Sequence, residues 1–330
     1  MTDAHILVVG GAGYIGSHMV KFLGRQGCRV TTLDNLSGGF RDAVLHGEFV
    51  QGDLADRALL DRLFASRRVD AVMHFASCIL VDESVQQPAQ YYQNNVVNTL
   101  TLLDAMRAAG VDRLIFSSSA AIFGQPCSER IDEAHPTSPI SPYGRTKLMV
   151  EQVLEDYGRA YGLASVCLRY FNAAGADPDG ELGERHAPET HLIPRVLQVA
   201  SGRRPHIAVF GRDHDTPDGT CIRDYVHISD LCQAHWLALR SLMAGGAGRA
   251  YNLGNGSGFS VQEVIDAAQR VTGRDIPVQD APRRAGDPAR LVADATLART
   301  ELGWTPGFAA LDTLVAHAWR WELHQAGTVR

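Results

Sequence analysis

Tyr143 and Lys147 stand four residues apart and have complementary acid–base chemistry. Among the 31 basic residues of the chain only Lys21 and Lys147 are lysines, so a retained ammonium suggests chemistry that a guanidinium cannot perform. On a helix, a spacing of four places both side chains on one face. A phenol has a free pKa of about 10, and a nearby ammonium favours its phenolate. Taken alone, such a pair is most often a surface contact, and we expect Lys21 to be a solvated residue of the first helix.

A glycine-rich segment near the start of the chain favours acid–base chemistry at Tyr143 and Lys147 over a surface contact. The apolar run Ile6–Val9 is typical of a buried parallel strand. It leads into Gly10, Gly13 and Gly16 in a G-x-x-G-x-x-G pattern, and a helical pattern follows. Such glycines permit a tight turn and close approach to a pyrophosphate, and the helix N-terminus offers N–H groups to the phosphates. We therefore predict a dinucleotide-binding site.

An acidic residue after the second predicted strand narrows the choice of cofactor. Asp34 follows the strand Arg29–Leu33 and lies 18 residues after Gly16. This is close to the spacing of the acid that holds the adenosine ribose hydroxyls in dinucleotide-binding folds. A carboxylate at that position would repel a 2′-phosphate. The sequence therefore predicts NAD as the cofactor, in preference to NADP.

Strands and helices alternate through the first half of the chain. Further strands are predicted at 48–51, 71–75, 114–116 and 164–169, with helices at 56–67, 89–109 and 143–161. This alternation predicts an α/β fold, a Rossmann-type doubly wound parallel sheet with a smaller C-terminal substrate-binding lobe. In such a sheet, ligands gather at the carboxyl ends of the strands.

The division between the two parts is expected near residue 174. We expect residues 1–174 to form the NAD-binding domain and residues 175–330 to form mainly the substrate-binding lobe. A strand–helix–strand unit at 226–256 is expected to return to the main sheet. The lobe is predicted to contain helices near residues 192–201, 260–272, 295–302 and 309–325.

Composition argues against several classes of protein. A net charge of −6 offers no basic surface for nucleic acid. Because we find no signal peptide and no run of about eighteen apolar residues, we expect no membrane span and a soluble cytoplasmic protein. The six cysteines contain no C-x-x-C pair, which predicts reduced thiols. His186 and His191 flank a proline-containing loop and are expected to make a poor metal site, so we expect no metal.

Four motifs occur together: the glycine loop, Phe116–Ser119, Tyr143 with Lys147, and Arg169–Asn172. This combination resembles the extended short-chain dehydrogenase/reductase family, and longer strings resemble the NAD-dependent nucleotide-sugar epimerases within it. Those strings are Gly13–His18, Leu33–Leu36, Pro142–Lys147, Leu168–Asn172, Pro217–Tyr225 and Tyr251–Gly254. The resemblance extends from residue 5 to about residue 321. The chain departs from the family pattern at Ile79, Asp82 and Phe123.

The resemblance implies reversible C4 epimerisation of UDP-glucose and UDP-galactose through a 4-keto intermediate with transient NADH. Tyr143, as phenolate, would take the proton from the sugar 4-hydroxyl, and Ser119 would hydrogen-bond the same oxygen. Lys147 would hold the nicotinamide ribose and favour the phenolate. The 4-keto sugar would then turn within the pocket and receive the hydride on its other face. Another UDP-sugar substrate, such as UDP-xylose, UDP-arabinose or UDP-N-acetylglucosamine, stays open.

The resemblance also assigns the residues that bind the cofactor and the substrate. The expected NAD-binding positions are Gly10, Gly13, Tyr14, Ile15, Gly16, Asp34, Asn35, Leu36, Ser37, Gly38, Asp53, Leu54, Phe75, Ala76, Ser77, Ile79, Asn94, Ser117, Tyr143, Lys147, Tyr170 and Phe171. The expected UDP-sugar positions are Ser119, Tyr143, Asn172, His191, Leu192, Ala208, Phe210, Arg223, Arg284, Asp287 and Leu291. Among these, Arg223, Arg284 and Asp287 would hold the diphosphate and the uridine ribose. Leu291 would be the gate beside the sugar 2-substituent.

Two other functions use the same scaffold. A nucleotide-sugar 4,6-dehydratase has acidic residues after the Ser/Thr position, where this chain has Ala120 and Ala121. A non-catalytic dinucleotide-sensing protein has no need for Ser119, Tyr143 and Lys147 together. Both are less well supported than an epimerase.

The resemblance finally implies a homodimer, because members of the family commonly pair two helices of each subunit in a four-helix bundle. The helices would be those at 89–109 and 143–161. Apolar residues that could form part of the seam, or could pack on the protein's own sheet, are Leu100, Leu103, Leu148 and Val153.

Overall fold

A computed structural model of the protein describes residues 3–284 and 286–328. Its strands are β1 (His5–Val9), β2 (Arg29–Asp34), β3 (Glu48–Gln51), β4 (Ala71–His74), β5 (Arg113–Ser119), β6 (Ala164–Tyr170), β7 (Asn172–Ala174), β8 (Ile207–Phe210), β9 (Ile222–Arg223), β10 (Tyr225–His227), β11 (Arg249–Leu253), β12 (Phe259–Ser260), β13 (Val278–Ala281) and β14 (Arg290–Leu291). Its α-helices are α1 (Tyr14–Arg25), α2 (Arg57–Ser66), α3 (Val81–Gln86), α4 (Pro88–Tyr91), α5 (Asn98–Ala108), α6 (Pro142–Tyr161), α7 (Leu192–Ala200), α8 (Ile228–Met243), α9 (Val261–Thr272), α10 (Thr296–Glu301) and α11 (Leu311–Thr328).

A seven-stranded parallel sheet forms the centre of the molecule. Its strand order is β3-β2-β1-β4-β5-β6-β11. The first six strands follow the order of a doubly wound dinucleotide-binding sheet, in which the direction of the order reverses between β1 and β4. This arrangement confirms the predicted Rossmann-type α/β fold.

The continuous apolar character of β1 arises because helices cover both faces of the sheet. Ile6 and Val8 pack into a core that contains residues of α1 and α8. Leu7 and Val9 pack into the opposite core, with residues of α2, α5 and α6. Successive residues of a strand point to opposite faces, so a strand buried on both sides must be apolar at every position.

The second lobe is built around three helices, α7, α9 and α11, which share one apolar core with the short sheet β8–β13. α9 begins with a capping box in which the Ser260 side chain accepts from the Glu263 backbone and Glu263 accepts from the Ser260 backbone. It ends at Gly273, whose φ is +64°. Two further small sheets, β7–β10 and β12–β9–β14, complete the strand pairings.

The chain crosses between the two parts more than once. β10 pairs with β7, and β11 then joins the central sheet beside β6. A division at residue 174 therefore leaves one strand of the central sheet in the C-terminal part, and the exact domain boundary stays a prediction.

Some elements differ from the sequence-based expectation. The helix expected at 89–109 consists of α4, a π-helical turn at Tyr92–Val97, and α5. α3 and the strands β7, β8, β9, β12, β13 and β14 are not predicted from the sequence. These strands contain only two to four residues and pair with distant segments, so they have little local pattern.

The expectation that Lys21 is solvated is wrong. Lys21 is 8% exposed, and its Nζ lies 2.5 Å from Asp177 Oδ2, 3.2 Å from Asp179 Oδ2 and 2.5 Å from Glu181 Oε2. Burial acts against the ammonium, but the hydrogen bonds that Lys21 donates to these carboxylates raise its pKa. Both lysines of the chain are therefore buried, and Lys21 ties α1 to the 177–181 segment.

The described residues contain no helix that combines the length and the apolar character needed to cross a bilayer.

Candidate active site

The glycine loop between β1 and α1 is tightly packed except at one position. Gly10 has a φ of +78°, and an added Cβ would lie 2.4 Å from the Ala76 backbone nitrogen. A Cβ on Gly16 would lie 2.1 Å from the Gly10 carbonyl oxygen. At Gly13, by contrast, the nearest atom would be that oxygen at 3.5 Å. A tight loop with one open face at a helix N-terminus fits the pyrophosphate of NAD.

Asp34 ends β2 and orders the backbone around it. Its Oδ2 accepts a hydrogen bond from the Ala12 N–H at 2.9 Å, and its Oδ1 accepts from the Leu36 N–H at 2.8 Å. Asn35 Nδ2 donates to Asp53 Oδ2 at 2.6 Å and so joins the ends of β2 and β3. Asp34 thus shapes the glycine loop and lies at the carboxyl end of β2, where the adenosine ribose is bound in this fold.

The other expected NAD-binding residues lie at the carboxyl ends of the central strands. Tyr14 and Ile15 form the first turn of α1, and the Tyr14 hydroxyl donates to the Gly175 carbonyl oxygen at 2.7 Å. The remainder follow the strand ends or lie on them: Leu36, Ser37 and Gly38 after β2, Leu54 after β3, Phe75, Ala76, Ser77 and Ile79 after β4, Ser117 in β5, and Tyr170 and Phe171 at the end of β6. The Ser117 and Tyr170 hydroxyls hydrogen-bond to each other.

Asn95, which is not among the expected residues, orders the segment after β4. Its Oδ1 accepts from the Cys78 N–H at 2.8 Å, and its Nδ2 donates to the Cys78 carbonyl oxygen at 3.1 Å and to Thr146 Oγ1 at 3.0 Å. Asn94, the expected residue, donates from Nδ2 to Asn95 Oδ1 at 3.0 Å. Asn95 lies in the π-helical turn, and such turns occur frequently at functional sites. A regular helical pattern gives no signal for it.

The start of α6 places Tyr143 beside Ser119. Ser141 caps the helix by accepting a hydrogen bond from the Gly144 N–H at 3.1 Å. A Cβ on Gly144 would lie 2.4 Å from the Ala121 carbonyl oxygen, so the first turn of α6 packs closely against the turn that follows Ser119. Burial raises the pKa of Tyr143, and a hydrogen bond with the Ser119 side chain acts in the opposite direction.

Lys147 lies one turn further along α6 and is 3% exposed. Its Nζ donates to the Ser117 carbonyl oxygen at 2.8 Å and lies 5.8 Å from the centroid of the Tyr143 ring. Burial lowers the pKa of Lys147 to about 7, although Glu151 and Cys78 act to raise it. The two side chains therefore share a helix face as predicted. The expected lowering of the pKa of Tyr143 is not found, because burial of the phenol dominates in the protein alone.

Glu151 supports this group of residues from the next turn of α6. Its carboxylate accepts from Arg169 Nη2 at 2.6 Å and from Ser118 Oγ at 2.5 Å. The Glu151 and Arg169 side chains are 8% and 11% exposed, so the ion pair is buried. Glu151 joins β5, β6 and α6 just behind the catalytic residues, and its negative charge favours the ammonium of Lys147. Its spacing of four from Lys147 is a signal that the sequence does contain.

Four of the expected substrate-binding residues form two side-chain contacts with one another. Arg223, on β9, makes an ion pair with Asp287, and their side chains are 14% and 25% exposed. The Arg284 Cζ lies 4.1 Å from the centroid of the Phe210 ring. Phe210 and Ala208 belong to β8. The structure thus places two arginines and one aromatic ring close to one another, as a diphosphate and a nucleoside require.

Leu291 connects this group to the segment that follows Ser119, and Asn172 is bound to the residue after Arg223. Leu291 pairs in register with Arg223 and packs against the cluster of Ile122, Phe123 and Ile131, which follows Ser119 in the chain. The backbone N–H and Nδ2 of Asn172 donate to the Asp224 carbonyl oxygen at 3.1 and 2.8 Å.

The Asp224 side chain is a further residue that the sequence does not single out. This buried carboxylate accepts from the Asn255 N–H at 2.7 Å, the Gly256 N–H at 2.9 Å and the Ala293 N–H at 3.0 Å. Burial raises the pKa of Asp224, and these three backbone donors act to lower it. Asp224 thereby holds the segment beside Leu291 against the turn that follows β11.

His191 and Leu192 lie at the N-terminus of α7, which packs beside β8. His191 Nδ1 hydrogen-bonds to Glu184, and His186 Nδ1 lies 3.1 Å from the same carboxylate oxygen. The expectation that these histidines make a poor metal site stays a prediction. Folding brings the carboxylates of Glu184 and Glu189 to both imidazoles, so that all four residues offer ligand atoms to one point.

A glycine loop that fits a dinucleotide, together with a largely buried group of Ser119, Tyr143 and Lys147, defines an enzyme of the NAD-dependent short-chain dehydrogenase/reductase type. The family described as the NAD dependent epimerase/dehydratase family matches residues 6–254, and the chain belongs to that family.

Individual relatives resemble the chain over nearly its whole length. A UDP-glucose 4-epimerase from Halalkalibacterium halodurans is 54% identical over 317 residues, which cover 96% of this chain and 95% of that protein. The crystal structure of UDP-glucose 4-epimerase from Brucella ovis in complex with NAD is 51% identical, has a TM-score of 0.94, and covers 96% of this chain and 97% of its own. The UDP-Glc/GlcNAc 4-epimerase from Campylobacter jejuni is 42% identical, with a TM-score of 0.86 and coverage of 97% and 99%.

Proposed function

We propose that the protein catalyses the reversible C4 epimerisation of UDP-glucose and UDP-galactose with NAD as its cofactor. The observation that carries the proposal is the position of Tyr143, beside Ser119 and one helical turn from the buried Lys147, in a fold whose glycine loop fits NAD. The similarity to UDP-glucose 4-epimerases supports the choice of substrate.

When bound, NAD supplies a hydride acceptor for the sugar C4, and the same hydride reduces the resulting ketone. The protein's own residues handle the proton and the position of the sugar. Tyr143 takes the proton of the sugar 4-hydroxyl and later returns it, and Ser119 hydrogen-bonds both the phenol and that oxygen. Lys147 donates a hydrogen bond to the Ser117 carbonyl oxygen, and Glu151 favours its ammonium form against the effect of burial.

Inversion at C4 requires the sugar to present both of its faces in turn. The nucleotide must therefore stay bound while the sugar moves. Arg223 and Arg284 carry the positive charge suited to the diphosphate, and Phe210 offers an aromatic surface. Asn172 and Leu291 lie between these residues and Ser119, where the sugar would turn.

A broader substrate range is the second candidate function. The Campylobacter jejuni relative is described as a UDP-Glc/GlcNAc 4-epimerase. Leu291 is only partly buried and packs at the edge of the Phe123 cluster, so its bulk would limit an N-acetyl group without excluding it completely.

The direct test is incubation of the purified protein with UDP-galactose and NAD, followed by chromatographic separation of the nucleotide sugars. We expect UDP-glucose as the product and no net accumulation of NADH. Loss of water to a 4-keto-6-deoxy sugar would show a dehydratase, and absence of conversion of UDP-galactose and of every other UDP-sugar tested would favour a sensing protein. Repeating the assay with UDP-N-acetylglucosamine, UDP-xylose and UDP-arabinose measures which UDP-sugars the protein accepts as substrates.

A pair of tyrosine variants on the same helix provides the control. Tyr143→Phe should lower turnover by at least about 100-fold, because the general acid–base group is removed. Tyr157→Phe removes a hydroxyl that donates to Asp104 Oδ1 at 3.1 Å, away from the site, and should leave turnover close to that of the unmodified protein.

We further propose that the protein is a cytoplasmic homodimer that pairs through α5 and α6. Leu103 is buried in the protein's own core, whereas Leu100, Leu148 and Val153 are only partly buried and stay candidates for the seam. Exposed apolar side chains in this region include Val97, at 45%, and Met149, at 40%. Light scattering at micromolar concentration should give twice the mass of the chain, and Val97→Glu should shift it to the monomer.

A further inference from the structure

The loop before α7 contains four side chains that can act as metal ligands. Glu184, His186, Glu189 and His191 place one ligand atom each within 4.8 Å of the other three. Both glutamate side chains are only 5% exposed. Ser119, Tyr143 and Lys147 are not part of this cluster, and the catalytic proposal gives the two glutamates and His186 no role.

Three N···O distances within the cluster are close to those around a four-coordinate ion, and the fourth pair, His191 and Glu184, is in direct hydrogen-bond contact. His186 Nδ1 lies 3.1 Å from Glu184 Oε1 and 3.8 Å from Glu189 Oε2. His191 Nδ1 lies 3.8 Å from Glu189 Oε1 and is hydrogen-bonded to Glu184. A tetrahedral zinc ion with bonds of about 2.0–2.1 Å holds its ligand atoms roughly 3.3 Å apart. Small side-chain rotations would therefore be sufficient to surround an ion.

The negative charge of the two carboxylates also favours the binding of a cation. The side chains of Glu184 and Glu189 are only 5% exposed, and buried carboxylates require a balancing positive charge. A divalent ion with two neutral imidazoles would balance both carboxylates at once.

A second group of carboxylates in the protein already has a cation in contact with it. Asp177, Asp179 and Glu181 also lie close enough together to bind an ion. The ammonium of Lys21 already contacts all three. At the Glu184 cluster no lysine or arginine among the described residues makes an ion pair with either glutamate, so only the histidines supply positive charge.

We propose that Glu184, His186, Glu189 and His191 bind one divalent transition-metal ion. Two imidazole nitrogens and two carboxylate oxygens suit Zn²⁺ better than Mg²⁺ or Ca²⁺, which take oxygen ligands almost exclusively. The ion has a structural role. It links the loop to its surroundings, because Trp321 of α11 donates to the Glu184 carbonyl oxygen at 2.9 Å and the Tyr14 ring lies 6.3 Å from the His186 ring.

The test uses the whole chain purified without a polyhistidine tag. After dialysis, elemental analysis should find about one zinc per chain, as for a closed structural site. Removal of the metal with a chelator should lower the Tm, and readdition of zinc at a hundredfold excess over its Kd should restore it by about 3–6 °C. Replacing zinc with Co²⁺ should give the intense visible absorption of a tetrahedral site.

Substitutions of the proposed ligands test whether the ion binds at this cluster. His186→Ala and Glu189→Gln should each weaken zinc binding by more than about 10-fold. His206→Ala removes an exposed histidine outside the cluster and should bind zinc as the unmodified protein does. The proposal is overturned if the unmodified protein neither retains zinc nor gains thermal stability from it, or if His186→Ala binds it equally well. Should a variant fail to fold, the cobalt spectrum of the unmodified protein decides, since absence of tetrahedral bands also refutes the site.

Discussion

Two glycines of the same loop should respond to alanine in opposite ways. Gly16 packs so closely that an added Cβ would lie 2.1 Å from the Gly10 carbonyl oxygen and 2.8 Å from the Gly11 Cα. Relief of that contact requires a backbone shift of more than about 1 Å, and such overpacking typically costs about 1–3 kcal/mol. We expect Gly16→Ala to lie at the upper end of this range and to lower the Tm by about 5 °C or more.

Gly13→Ala should affect the cofactor instead of the fold. Gly13 has φ −78° and ψ 176°, which alanine adopts readily, and its added Cβ would meet protein atoms only at 3.5 Å. Exchange of this N-cap residue should therefore change the free energy of unfolding by less than about 1 kcal/mol. The methyl group would occupy the face on which the pyrophosphate lies. A steric cost of about 1–3 kcal/mol corresponds to a loss of NAD affinity of roughly 5- to 150-fold.

Both effects can be measured on cofactor-free protein. Urea unfolding gives the stability of each variant, and calorimetric titration with NAD gives the affinity. If Gly13→Ala binds NAD as tightly as the unmodified protein, the pyrophosphate does not lie on this face of the loop. If Gly16→Ala is as stable as the unmodified protein, the first turn of α1 does not pack tightly against the backbone of the loop.

Three further predictions concern the acid–base groups and the proposed gate. Lys147→Arg should lower turnover by at least about 100-fold in a folded protein, since a planar guanidinium cannot take the place of a buried ammonium whose Nζ donates to Ser117. Burial lowers the pKa values of His74 and His227 to about 3, from 6.5 in the unfolded chain. Because the unfolded chain then binds more protons, the free energy of unfolding should fall as the pH decreases from about 6.5 towards 3, as urea titrations at pH 7 and pH 5 would show. Leu291→Ser should raise activity on UDP-N-acetylglucosamine by roughly 5- to 150-fold relative to UDP-glucose, as paired assays of kcat/KM would show.

Each of these has a result that would count against it. Near-normal turnover of folded Lys147→Arg would remove Lys147 from the catalytic group. Equal stability at pH 7 and pH 5 would mean that the buried histidines are not held neutral, and His74→Asn offers a check because it should weaken the pH dependence. If the unmodified protein already uses both sugars equally, or Leu291→Ser gains nothing, Leu291 is an ordinary packing residue.

The parts of the site that the sequence predicts are those with a local pattern. Gly10, Gly13 and Gly16 are spaced by the turn they must make, and Tyr143 and Lys147 by one turn of helix. The central sheet is predicted for the same reason, because β1, β3, β4 and β5 are each followed by a helical pattern before the next strand. Local sequence periodicity is sufficient for these features.

The residues that the sequence did not reveal depend on distant partners. Asn95 reaches Cys78 and Thr146 only because a π-helical turn changes its direction. Asp224 accepts hydrogen bonds from backbone N–H groups of two other segments. Lys21 contacts carboxylates more than 150 positions away in the chain. A single sequence contains no period that links such groups, since their proximity results from tertiary packing.

The position of β11 has a consequence for the synthesis of the protein on the ribosome. β6 ends at Tyr170, but its outer neighbour β11 is encoded only at Arg249–Leu253. Until that stretch has left the ribosome, the nascent NAD-binding half presents an open parallel edge along β6, and open edges are templates for pairing with other chains. The half of the enzyme that binds the cofactor is therefore completed only after much of the other half has been made. A chain that stops before residue 249 would carry every residue of the glycine loop and of the Ser–Tyr–Lys group, yet would be prone to aggregate.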